Sequence, residues 1–330
     1  DVVSMVLCSW PDAAKEKNDY GHTPLYLACR YGASLDVVST VLSSWPDAVK
    51  QKNGYGWTPL HSACQHGVSL EVVTILLSSW PDAVKQKDRS GWTPLHFVFR
   101  CGTSLDVVSA LLSSWPDAAK QIDRSGCTPL HFACRFRTSL DVVSALLSSW
   151  PDAAKQKDRD GWTPLHSACR YGASLDVVSA LLRSWPDATK QKDSNRLTPL
   201  HLACRFRRSP GMVKMLLERW LETKENRVSH SVESLRQVAS GCNKNLLYYV
   251  SSLFNETQTN PSPRDIMIFF ITINWWNGVC LAIDRHPNVI KTLDLHTNVM
   301  ADLLSIVGKR CGLTTLWSVI LNEQELHEGV

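Results

Sequence analysis

The sequence lacks any apolar run long enough to cross a bilayer without polar interruption. Its longest uncharged stretch, "IMIFFITINWWNGVCLAI" from Ile266 to Ile283, holds 18 residues and is broken by Asn274, Asn277 and Gly278. A bilayer core calls for about 20 apolar residues, and the central Asn pair is costly in hydrocarbon. The segment therefore predicts a buried helix of a small C-terminal domain, with a membrane-tethered adaptor as the alternative reading. Charge of one sign is also lacking: 35 basic against 31 acidic residues leave only +4. The excess sits in 1–222, at 26 against 21, which is too little for the clustered basic face of a nucleic-acid binder. No Gly-rich phosphate loop, nucleophile elbow or paired-Cys zinc spacing occurs, so no cofactor or metal is expected. No basic segment leads into an apolar one at the start, so no secretory leader is read. Eleven cysteines are too few, in 330 residues, for a disulfide scaffold.

What the chain does have is a period. Thr-Pro-Leu begins at Thr23, Thr58, Thr93, Thr128, Thr163 and Thr198, always 35 residues apart. Trp recurs with the same period at Trp10, Trp45, Trp80, Trp115, Trp150, Trp185 and Trp220. The segment "TSLDVVSALLSSWPDAAKQ" stands at 103–121 and again at 138–156. Residues 1–222 are thus an array of duplicated units: half a unit over 1–18, then six beginning near Asn18, Asn53, Asp88, Asp123, Asp158 and Asp193.

Each unit reads as two short helices. Thr followed by Pro starts the first, because the hydroxyl caps an orphan amide and Pro has none to lose. In "TPLHSACRY" it closes at Gly172, and at Gly32, Gly67 and Gly102 elsewhere. "SLDVVSALLSSW" starts the second, with Ser174 as cap, Asp176 in the first turn, and an apolar stripe of Leu175, Val178, Leu181 and Leu182. Trp185 before Pro186 ends it, and "PDATKQKDSN" follows as a polar connector. Each periodic Trp closes a helix beside Pro and covers the apolar end of its own unit.

"DRDGWTPLHSACRYGASLDVVSALL" resembles an ankyrin repeat: an Asp-x-x-Gly hairpin tip, Thr-Pro-Leu-His, a small pair at Ala168-Cys169, Gly, then Leu-Asp-Val-Val and Leu-Leu. Ankyrin units are about 33 residues. The longer unit and its Trp-Pro-Asp connector are similar to ankyrin arrays of unicellular algae. The resemblance implies an all-α solenoid of helix-turn-helix units with hairpin loops, acting as a non-catalytic scaffold. The sixth unit, "RFRRSPGMVKMLLERWLETKENR", loses the Gly and gains charge, as a capping unit should. The start, Asp1-Val2-Val3, aligns with Asp36-Val37-Val38, so an upstream cap is expected.

Residues 223–330 carry no period and read as a small helical region, with helices expected at 231–240, 245–254, 264–283, 297–307 and 313–321 and a loop at 256–265. An enzymatic site here would have to draw on Cys280, Asp284, His286 and Cys311, which no spacing links.

His and Cys stand at i and i+3 in His61/Cys64, His131/Cys134, His166/Cys169 and His201/Cys204. Copying with the unit argues for architecture over catalysis: Tyr26 replaces the first His and Phe99 takes a Cys position. Equivalent cysteines lie about 10 Å apart at normal helix spacing, beyond the roughly 7 Å limit for a disulfide. Repeated free thiols point to a reducing compartment, cytoplasmic or nuclear. The resemblance implies that the histidines brace the loops between units.

Positions that vary between near-copies are those that packing does not dictate. At the hairpin tips these include Tyr20, Tyr55, Arg89, Arg124 and Arg159; before Thr-Pro they are His22, Trp57, Trp92, Cys127, Trp162 and Leu197. Late in the first helices come Arg30-Tyr31, Arg100, Arg135-Phe136, Arg170-Tyr171 and Arg205-Phe206. By the resemblance these line a concave groove that grips a protein partner. The row Arg30, Arg100, Arg135, Arg170, Arg205 suits an acidic or phosphorylated segment, bound by a monomer.

Overall fold

The computed structural model describes residues 2–102, 104–255 and 261–292, and among these it holds seventeen α-helices and no strand. The fold is an all-α solenoid whose helices stand where the repeats predict. Packing divides the chain into two compact units, Asp1–Pro199 and Leu200–Val330.

In the first unit the opening helix Val2–Ser9 is followed by five helix pairs. The first helices are Pro24–Arg30, Pro59–His66, Pro94–Phe97, Pro129–Arg135 and Pro164–Tyr171. The second helices are Leu35–Ser44, Leu70–Ser79, Leu105–Ser114, Leu140–Ser149 and Leu175–Ser184. Thr163 caps as expected, its hydroxyl accepting from the His166 amide at 3.4 Å. The first helices at Gly67 and Gly172 close in the left-handed region, at φ 66° and 79°. Leu60, Leu95, Leu130 and Leu165 of the first helices and Val73, Val108, Val143 and Val178 of the second lie in the continuous core. Their burial, at about 25 cal/mol per Å² of apolar surface, is the main stabilising force.

Three features depart from the sequence reading. The connectors are not plain loops: Pro46–Lys50, Pro81–Lys85, Pro116–Lys120, Pro151–Lys155 and Pro186–Lys190 are 3₁₀ turns. Pro fills the first position of each, Asp lies in its first turn, and Lys at its end pairs with that Asp at 2.8–2.9 Å. Such exposed pairs contribute little, whereas the Ala following Asp is fully buried, as at Ala48 and Ala83. In the third repeat the first helix stops at Phe97 and tightens into a 3₁₀ turn, Val98–Arg100. There Val98 and Phe99 replace the small Ala-Cys pair at the close helix contact, and both are buried. Finally, Trp220 does not end a helix. No Pro follows it, so its helix Pro210–Leu221 runs on past it and buries the ring.

The hairpin tips are built from one rule. The Asp158 amide donates to the Trp162 carbonyl at 2.9 Å, and Asp158 Oδ1 accepts from the amides of Asp160 at 3.0 Å and Trp162 at 2.8 Å. Successive tips are tied by one backbone bond each: Arg89 to Tyr55, Arg124 to Ser90, Arg159 to Ser125 and Ser194 to Asp160, at 2.9–3.2 Å.

The second unit holds the helices Pro199–Arg205 (from its second residue), Pro210–Leu221, Ser229–Val238, Cys242–Leu253, Pro263–Thr272 and Trp276–Arg285. The expected helices at 231–240 and 245–254 appear, each shifted a few residues toward the N-terminus. The single helix expected over 264–283 is two, parted at Asn274, which takes φ 56°. Asn tolerates that left-handed conformation where larger residues resist it. Beside the break Trp275 is buried, its indole donating to Glu218 Oε1 at 2.9 Å, and its ring lies against Gly278 where any side chain would collide. Of the loop expected at 256–265, residues 256–260 lie outside the described residues, and Ser262 caps the next helix, its hydroxyl and Asp265 forming a capping box. Among the described residues no helix is long and apolar enough to cross a membrane. The expected helices at 297–307 and 313–321, and Cys311, lie outside the described residues.

Candidate functional site

The histidines fix the floor of the site. The Thr58 amide donates to His61 Nδ1 at 3.1 Å, which leaves the proton on Nε2 to be donated to the Trp92 carbonyl at 3.2 Å. The same pair of bonds joins His96 to Cys127, His131 to Trp162 and His166 to Leu197. Each ring therefore completes a capping box in its own repeat and clamps the hairpin of the next. Burial pushes His61, His131 and His166 down to about 4 and His96 to about 3. The cysteines are equally inert: burial pushes Cys29 and Cys134 up to about 12, and Cys64 higher still. Neither set supplies a nucleophile or a base at neutral pH.

Above this floor stands the residue before Thr-Pro. Trp57 Nε1 donates to Asp88 Oδ2 at 3.0 Å, Trp92 to Asp123 at 3.1 Å and Trp162 to Asp193 at 3.1 Å. The acceptor belongs to the hairpin of the next repeat, 31 residues on. Packing does dictate these three tryptophans, contrary to the expectation from their variability. Part of the signal is present in the sequence, since the tip residue is Asp88, Asp123 and Asp193 after a Trp but Asn53 after His22, with Asp158 after Cys127 as the exception.

Two grooves open where that Trp is missing. One, of ≈ 600 Å³, surrounds His22 and is lined also by Tyr20, Arg30, Tyr31, Tyr55 and Trp57. The other, of ≈ 570 Å³, surrounds Cys127 and is lined also by Trp92, Arg124, Arg135, Trp162, Arg170 and Tyr171. Twelve of the anticipated residues are thereby gathered in two places. Tyr20, Tyr31 and Tyr55 are 59–76% exposed, unusual for rings of that size in a folded array. His22 is buried and stacks on Tyr26 at 4.3 Å, and its pKa is lowered by burial and then by Arg30.

The arginines stand over aromatic rings at cation–π distance. Arg30 stands 5.8 Å from the Tyr31 centroid, Arg100 5.8 Å from Trp92, Arg135 5.3 Å from Tyr171, and Arg170 5.0 Å from Trp162. Stacking orients a guanidinium and leaves its in-plane N–H edge for carboxylate or phosphate. Arg89, Arg159, Arg100 and Phe136 line neither groove. Arg89 and Arg159 sit exposed at the hairpin tips, and Phe136 is exposed beside Arg135 at 5.9 Å. Arg205 and Phe206 lie in the second unit, 5.9 Å apart.

No curated protein matches the chain at a significant level. A family model described as ankyrin repeats (3 copies) matches residues 1–88, 69–155 and 138–227. With that match extending over 1–227, and with the Thr-Pro-Leu-His helices, left-handed glycines and clamped hairpins in place, the chain belongs to the ankyrin repeat family.

Proposed function

We infer that this chain works by binding protein, since ankyrin repeats are generally protein-interaction modules and generally non-catalytic. We propose that this chain is a non-enzymatic scaffold or adaptor, monomeric and cytoplasmic or nuclear, that grips a partner protein along the hairpin tips and first helices of its array. The partner segment is acidic or phosphorylated. The observation that carries this reading is the set of stacked arginines: Arg30, Arg100 and Arg135 each lie on an aromatic ring. None of these three engages an ion pair among the described residues. Cations beside aromatic rings, with Arg30 and Arg135 lining the two grooves, combine the two residue classes that dominate interface energies. Copies of a buried His-Cys pair with a protonated thiol suit a reducing compartment and no catalysis.

The test is fluorescence polarisation of the full chain against matched acidic, phosphorylated and neutral peptides. Replacing Arg100, Arg135 and Arg170 together by Gln should weaken the best acidic or phosphorylated binder at least tenfold, about 1.4 kcal/mol, with Tm unchanged within a few degrees. Salt should weaken binding in the same order. Equal binding of neutral peptides, or an unaffected triple variant, would sink the reading. Trp92 and Trp162 are poor choices for such a variant because their indoles hold neighbouring repeats together.

A further inference from the structure

The groove at Cys127 is the array's own tryptophan site with the tryptophan removed. In three other repeats an indole occupies this place and its N–H satisfies the second carboxylate oxygen of the following hairpin, at 3.0–3.1 Å. Here the following hairpin keeps its Asp, Asp158, but the donor is the Cys127 thiol, 3.7 Å from Oδ2. A thiol is a weak donor. Oδ1 of the same carboxylate is already used by the Asp160 and Trp162 amides. Oδ2 thus has a thiol where its counterparts have an indole, in a half-buried setting, and burial raises the pKa of Asp158. The walls suit a flat aromatic group, for Phe132, Trp162 and Arg135 all line this space of ≈ 570 Å³. The groove at His22 has no carboxylate in the equivalent place, because the following tip is Asn53, whose Oδ1 is taken by the Tyr55 and Trp57 amides; its one unpartnered acceptor among the described residues is Gln65 Oε1, an amide oxygen on the first helix and not on the hairpin tip.

We propose that the Cys127 groove is a socket for a tryptophan side chain of the partner polypeptide, whose indole N–H donates to Asp158 Oδ2 as the array's own tryptophans do to Asp88, Asp123 and Asp193. The proposal deepens the reading of the array as a protein-binding groove by naming its anchor. The neighbouring Arg135 and Arg170 then place acidic or phosphorylated residues of the same segment beside that anchor.

N-acetyl-tryptophanamide, titrated into the full chain and followed by ligand-observed and amide NMR, tests the socket alone. Saturable binding is expected, with shifts centred on Cys127, Asp158 and Trp162. Its 1-methylindole analogue, which has no N–H, should bind at least fivefold more weakly. Cys127→Trp, which fills the socket from within, should abolish binding while raising Tm. Absence of saturable binding, equal affinity of the methylated analogue, or full binding by a folded Cys127→Trp variant would each overturn the socket. If Cys127→Trp does not fold, the comparison of the two ligands on the unaltered chain decides. Loss of the socket with acidic-peptide binding intact would leave the arginine reading standing, and the reverse result would leave the socket without its acidic neighbour.

Discussion

Trp92 Nε1 and Asp123 Oδ2 lie 3.1 Å apart, although 31 residues separate them, and the bond joins two repeats through side chains alone. Asp123 Oδ1 meanwhile accepts from the Ser125 and Cys127 amides at 2.8 Å, so one carboxylate shapes its own hairpin and receives the previous one. Asp123 is only 8% exposed, so water cannot readily replace the indole. Trp92→Phe should therefore destabilise the array by about 1–3 kcal/mol, the cost of an orphaned buried acceptor. In a double-mutant cycle with Asp123→Asn the two losses should not add, because Asn still serves the hairpin amides through its oxygen. Urea unfolding of the four proteins measures the coupling, and strict additivity would contradict the bond's importance.

The four clamped histidines give the array an acid sensitivity that sets in well above the carboxylate range. His61, His131 and His166 titrate near about 4, and His96 near about 3, in the folded chain, whereas an unfolded histidine titrates near 6.5. Each folded value is depressed, so the unfolded state takes up the proton first as pH falls. The stability these rings contribute is complete above about pH 6.5 and is lost between there and about pH 4. Four rings at about 1.4 kcal/mol per pH unit give a limiting slope near 5 kcal/mol per pH unit. Asp158 acts in the opposite sense, since its raised value favours the folded state as pH falls, but it is one group against four. Urea midpoints at pH 7.5, 6.0 and 5.0 should show a plateau and then a steep drop. His166→Gln keeps an acceptor for the Thr163 amide and should remove about a quarter of the slope. A flat profile from pH 7 to pH 5 would refute the clamp.

Most of the array was legible because its signals are local: Thr163-Pro164 starts a helix, Gly172 stops it, and Leu165 with Ala168 marks the face that packs. The third repeat's shortened helix was legible only in hindsight, from Val98 and Phe99 standing where Ala and Cys normally fit. The Trp-Asp bonds were hidden for a different reason. They depend on the register in which one hairpin stacks on the next, and a residue-by-residue comparison of repeats sees only that His22, Trp57 and Cys127 differ. Pairing each with the tip 31 residues later exposes the rule, and with it the vacancy at Cys127. In the second unit, 264–283 read as one helix because hydropathy carries no mark of a left-handed turn. Asn274 stands in the sequence as a polar interruption, and the helix breaks where it takes positive φ.

The stacking register also explains a glycine that repeats with the hairpins and the one place it is lost. Gly126 takes φ 81°, and a Cβ there would stand 3.2 Å from the Arg159 amide nitrogen and the Asp158 Cα of the next tip. Both are backbone atoms that carry the inter-repeat bond from Arg159 to the Ser125 carbonyl, so they have little freedom to move aside. In the sixth hairpin the equivalent residue is Arg196, at φ 62°. The repeats supply no seventh hairpin to approach it, so only the conformational cost remains. Gly126→Ala should thus destabilise the array by the left-handed penalty of about 1–2 kcal/mol plus the cost of displacing the Arg159 tip, and exchange of the Arg159 amide should speed up to match. Arg196→Gly should change stability by less than about 1 kcal/mol, as relief of strain is offset by the looser unfolded chain. Chemical denaturation gives both values, and hydrogen exchange at the Arg159 amide should report a markedly less protected bond in the Ala variant alone. A gain from Arg196→Gly as large as the loss from Gly126→Ala would mean that strain in the turn, and not contact with the following hairpin, selects the glycine.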